Sequence, residues 1–249
     1  MRRGIVVLWS VMSLAAANAE AQDVPLVADL SNHLVAITTG FTGTDVLLFG
    51  ATDGPGDIVV VVRGPAKDEV VRRKSRFGPV WANAEAVTFR DVPSYYRVAS
   101  NRPLQEFAPE MLLERRQIGV DTIRLSNVGE AIPPDQAASF RKALLRLRTA
   151  DNLYDQGVGD IAFMSNRLFR TALHFPANVP TGTYMVEVYL FREGQIISAE
   201  IVPLNVSKIG IGAEIFDFAQ GRFAFFYGLM AVLLAGGAGW VAGVVFRRV

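Results

Sequence analysis

The 249 residues are 51% apolar and 20% charged, with a mean hydropathy of +0.27 that is too high for an ordinary soluble domain, so part of the apolar weight belongs in lipid. The formal charge is +1, and setting aside the basic ends and a leader leaves a middle of about −2, which excludes a nucleic-acid binder driven by bulk charge. The absence of cysteine excludes a disulfide framework, thiolate catalysis and Cys-ligated metals or clusters.

Arg2 and Arg3 precede an apolar run from Ile5 to Ala17, followed by the overlapping small-residue sites Ala17-Asn18-Ala19 and Ala19-Glu20-Ala21. This is the order of a secretory signal peptide, residues 1–21, with cleavage expected after Ala19 or Ala21. Residues 22–104 read as a β-rich lobe with strands at His33–Phe41, Asp45–Thr52, Asp57–Gly64, Glu69–Phe77 and Ala86–Arg90. Turn residues separate them, and the spacing of about ten to twelve residues is that of a β-sandwich.

The pattern turns helical over 105–160, at Glu106–Arg116 and Asp135–Thr149. In the second stretch Ala137, Phe140, Leu144 and Leu147 share a face, Pro133-Pro134 and Asp135 open it, and Arg146 and Arg148 close it, which predicts an amphipathic helix packed on the sandwich. Strands return over 161–210, at Leu168–Phe175, Thr183–Arg192 and Gln195–Val206, with Glu193-Gly194 as a hairpin turn. The link Pro176-Ala177-Asn178-Val179-Pro180-Thr181-Gly182-Thr183-Tyr184 has the form found between late strands of immunoglobulin-like domains. The fold class expected is therefore mainly β: an immunoglobulin-like sandwich of one or two lobes, two being preferred, with a helical insertion.

After a juxtamembrane linker at 211–222, Phe223 to Phe246 holds no charged residue over 24 positions, or about 36 Å of helix, which is enough to span a bilayer. Aromatic residues cluster at its start, and Arg247 and Arg248 follow its end, so the positive-inside bias puts the stub 247–249 in the cytoplasm. A leader and a terminal anchor make a single-pass protein with its domain outside the cytoplasm. Ala231, Ala235, Gly239 and Gly243 recur every four residues and are candidates for packing against another helix.

Other candidate sites are sparse. Arg72, Lys74 and Arg76 share a strand face, either a solvated face or a patch for an anion or lipid headgroup. Trp81 is expected in the core, and of Tyr95 and Tyr96 one should point inward and one outward. His33 and His174 stand far apart without metal spacing, Asp53 and Asp57 read as turn residues rather than a calcium loop, and no nucleophile elbow, Walker A loop or dinucleotide fingerprint occurs. No cofactor, metal or catalytic constellation is implied.

The blocks HLVAITTGFTGTDVLLFGA (33–51), VVVVRGP (59–65), VVRRKSRFGPVW (70–81) and VTFRDVPSYYRVASNRPL (87–104) resemble the alphaproteobacterial putative transmembrane protein family. The resemblance covers essentially the whole chain. It implies an inner-membrane protein with a periplasmic domain and one C-terminal membrane helix, and it hints at a role beside sulfite-exporter-like permeases. The 21 Arg against 4 Lys agree with a GC-rich bacterial source. The function expected is a non-enzymatic, membrane-anchored binding or assembly module with an inner-membrane or periplasmic partner, such as a permease. A tethered periplasmic hydrolase or a ligand-sensing domain is the alternative.

Overall fold

A computed structural model describes residues 25–128, 133–209 and 223–246. The expected leader at 1–21, the expected juxtamembrane linker at 211–222 and the expected cytoplasmic stub at 247–249 lie outside the described residues.

Thirteen strands among the described residues form three sheets. The first has the order β1-β3-β11-β10, built from β1 (Leu26–Leu30), β3 (Gly43–Thr52), β11 (Leu168–Pro176) and β10 (Ala162–Phe163). The second has the order β2-β13-β12-β4-β7-β9, from β2 (Leu34–Ile37), β13 (Gln195–Lys208), β12 (Gly182–Arg192), β4 (Asp57–Arg63), β7 (Tyr96–Ser100) and β9 (Tyr154–Asp160). These two sheets share one apolar core, with Phe175 of the first stacked on Tyr95 at 5.4 Å and set edge-on to Tyr184 of the second at 5.7 Å.

Strand composition tells which sheet is covered twice. β11 alternates buried and exposed along its length, so one face of its sheet is wet. Ile58 to Val62 of β4 are buried without alternation, because the second sheet is covered on both faces. Its outer cover is the stretch after β7: a 3-10 turn at Leu104–Glu106, α1 (Glu110–Arg116) and a second 3-10 turn at Val120–Thr122. Phe107 meets Phe191 edge-on at 5.4 Å there, and Ile118 and Ile123 are buried. The helix expected from residue 106 begins only at Glu110. Pro109 sits at its N-cap, and a proline inside the helix would remove a hydrogen bond and clash with the preceding turn.

Interleaving corrects the preferred two-lobe division. β1 and β3 from the first half pair with β11 from the second, and β4 pairs with β12, so the halves build one sandwich. The helical segment also docks elsewhere than expected. A third sheet, β5-β6-β8, consists of a long hairpin, β5 (Ala66–Phe77) and β6 (Val80–Pro93), with β8 (Ser126–Val128). The amphipathic helix α2 (Pro134–Ala150) packs on this hairpin, where Phe140 and Leu144 meet Val71, Val87, Phe89 and Val92. Leu147 was expected in the packed stripe but is half-exposed, since the hairpin core reaches only to Leu144.

Candidate functional site

The segment expected to span the membrane is a helix, α3 (Phe223–Phe246), with no charged residue in its 24 positions. Among the described residues no helix is long and apolar enough to cross a membrane. Ala231, Ala235, Gly239 and Gly243 fall on one face of this helix by their spacing of four. A Cβ placed on Gly239 or Gly243 would meet nothing within 4 Å, so that face is open.

Arg72, Lys74 and Arg76 are all exposed on β5, the outer strand of the hairpin sheet. Arg73 and Val71 turn the other way, toward α2. The Arg73 guanidinium lies 3.2 Å from Glu85 and donates to the Ser139 hydroxyl at 3.2 Å, over the Phe140 ring at 4.8 Å. Arg76 instead donates to the Gly78 carbonyl at 2.9 Å in the hairpin turn. Opposite Arg76 stands Trp81, which is 64% exposed rather than in the core. The hairpin there extends past the side chains of its small core, whose last strand members are Val71 and Val87, so nothing covers the indole.

His174 lies on the wet face of β11, opposite buried Leu173 and Phe175, as its alternation predicts. Its Nδ1 is 2.7 Å from Asp45, and Nε2 of His33 is 3.0 Å from Asp29. Both imidazoles are more than half exposed, yet each has a carboxylate within hydrogen-bond reach. His174 also borders a cavity of about 390 Å³ with Arg97 and Asp155, themselves paired at 2.8 Å. The histidines are thus not brought together.

Both Tyr95 and Tyr96 are buried, which departs from the expected one-in, one-out pair. They do point to opposite faces, but both faces are covered. Tyr95 joins the sandwich core and donates to the His174 carbonyl at 2.6 Å. Tyr96 lies under the α1 cover, donating to the Gln117 carbonyl at 2.6 Å and accepting from the Gly119 N–H at 2.8 Å. Burial pushes its phenol up to about 12.

Asp53 and Asp57 are engaged by arginines. Asp53 pairs with Arg192, whose hydrogen bond holds the carboxyl below the usual range. Asp57 accepts two bonds from Arg102 at 2.6 and 2.7 Å and one from Asn101 at 3.0 Å. Burial opposes ionisation of Asp57, but those donors together lower its pKa.

Sequence reasoning missed one cluster. Arg63 at the end of β4 pairs with Glu187 of β12 and donates to the carbonyls of Arg116 at 2.7 Å and Gln117 at 3.1 Å, while the Tyr189 hydroxyl donates to Glu187 at 2.7 Å. Burial works against the Arg63 charge, but Glu187 outweighs it and raises the pKa, whereas burial lifts Tyr189 to about 12. Arg63 and Glu187 are 124 residues apart, so no local spacing could have joined them.

The described residues make a mainly β domain, consistent with a β-sandwich, followed by a helix without charged residues. The chain belongs to the family described as "Putative transmembrane protein (Alph_Pro_TM)", whose model matches residues 25–248. No curated protein matches it.

Proposed function

We propose that this chain is a non-enzymatic, membrane-anchored module whose α3 crosses the bacterial inner membrane once and assembles with another envelope protein, such as a permease. The sandwich stands in the periplasm and the C-terminus in the cytoplasm. The observation that carries the reading is α3: an uncharged 24-residue helix of about 36 Å bearing small residues every four positions, with open space at Gly239 and Gly243. Family membership supports a place in the membrane.

The ectodomain is read as immunoglobulin-like, in support of a binding role. The orders β1-β3-β11-β10 and β13-β12-β4 follow the ABED and GFC sheets of that fold, with β7 in the C′ position and β2 pairing parallel to β13. Tyr184 at the start of β12 donates to the Pro180 carbonyl at 2.6 Å, which is the geometry of a tyrosine corner.

The test is in-cell crosslinking followed by purification in mild detergent, comparing the parent with the double variant Gly239→Leu, Gly243→Leu. The expected result is a specific membrane protein recovered with the parent and lost with the variant. Recovery of the same partner with both removes the helix face from the account. Recovery of the parent alone overturns assembly and favours the hydrolase or ligand-sensing alternative, for which the His174–Asp45 pair beside its cavity is the starting point.

A further inference from the structure

The β5 strand and α2 enclose a cavity of about 670 Å³, within the size range of small-molecule sites. Its rim carries five cations, Arg72, Arg73 and Lys74 from the strand and Lys142 and Arg146 from the helix, against one acid, Asp121. Arg73 is committed to Glu85 and Ser139. The other four have no ion-pair partner among the described residues.

This is an unfavourable arrangement for an empty surface. Lys142 and Arg146 stand four apart on one helix, where like charges repel, and Arg72 and Lys74 stand two apart on one strand face. A cavity of that volume is about as wide as the screening length at physiological salt, so the two pairs also feel each other across it. Ala143 and Leu145 supply an apolar wall beside the charges, next to Phe140 buried under the Arg73 guanidinium.

We propose that this cavity binds a phosphate ester with an apolar part: the phosphate held by Lys142 and Arg146 of the helix, with Arg72 and Lys74 at the strand rim adding to the positive field, and the apolar part against Ala143 and Leu145. Lysine and arginine four apart on the helix neutralise the anion in charge-assisted hydrogen bonds, and the anion relieves the repulsion among the rim cations. The chemistry is shared by a phospholipid headgroup and by a soluble phosphate ester. The site rests on ectodomain side chains alone, so its failure would leave the assembly role of α3 untouched.

Calorimetric titration of the full chain in nonionic detergent tests it, with glycerol 3-phosphate as one titrant and phosphatidylglycerol in mixed micelles as the other. Lys142→Gln with Arg146→Gln removes half the uncommitted charge from exposed helix positions where glutamine is well tolerated. Arg170→Gln, on the wet face of β11, is the charge control. Saturable binding is expected, weakened about tenfold or more by the double variant and unchanged by the control. Binding of phosphatidylglycerol alone supports the site and assigns the lipid source, while binding of glycerol 3-phosphate supports it and assigns a soluble ligand. Absence of saturable heat from both titrants, or equal weakening by Arg170→Gln, overturns the proposal.

Discussion

Single ionisable groups in the β domain set opposite edges to its stability. Asp53 and Asp57 have folded pKa values below the ordinary carboxylate value of about 4, so their stabilisation is complete above that pH and is lost as the pH falls through the folded values. Tyr96 and Tyr189 behave in the reverse sense. Their folded values, raised to about 12, keep the phenols protonated, so stability holds below about pH 10 and declines as the pH rises toward 12. Tyr96 has a further reason to stay neutral, because its hydroxyl must donate to Gln117. Thermal melts across pH should therefore show a plateau with an acid and an alkaline limb. Asp57→Asn should flatten the acid limb and Tyr96→Phe the alkaline one. An acid limb unchanged in Asp57→Asn would assign the acid sensitivity to other carboxylates.

Between elements, the Arg63–Glu187 pair does what neither strand nor helix does alone. It holds the last carbonyls of α1 to the outer face of the second sheet. Removing one partner of a largely buried pair leaves the other charge uncompensated, so Glu187→Ala should cost about 3 kcal/mol in denaturant unfolding and speed amide exchange at Gln117 and Gly119. Glu187→Gln, which still offers Arg63 an oxygen, should cost less; equal losses would point to packing instead. The same pair shows what a sequence can disclose. Periodicity located β4, β11, β12 and α2 because each buries a regular stripe or run of its own residues. It understated β6 at Ala86–Arg90, since the flanking residues 80–85 are exposed and held only by pairing with β5. It missed β7, which pairs antiparallel with β4 across the intervening hairpin, and β9, which joins only through a parallel pairing with β7 more than fifty residues away. Arg72 and Lys74 could be assigned to one strand face, but the cavity they share with Lys142 and Arg146 exists only once α2 crosses the hairpin.

For the molecule as a whole, the arrangement of the core decides where it can be cut. Strands from both halves pair within the same two sheets, so no break near residue 105 would leave two folded lobes. α3 is different. Neither hydrophobic cluster takes a residue from it, and both are complete within 25–209 among the described residues. Stability of the β domain and attachment to the membrane should therefore be separable properties of one chain. Truncation after Ile209, with the leader retained, should leave a protein whose thermal midpoint lies within about 4 °C of the parent, the shift that about 1 kcal/mol would produce in a domain of this size. The parent should fractionate with membranes and resist extraction by high salt, while the truncated form should be released into the periplasmic fraction. A truncated protein that still sediments with membranes but is freed by salt would transfer part of the attachment to the basic cavity on the hairpin, where phospholipid headgroups are a candidate ligand. One that unfolds would show instead that α3 contributes to the fold, contrary to the closed core of the sandwich.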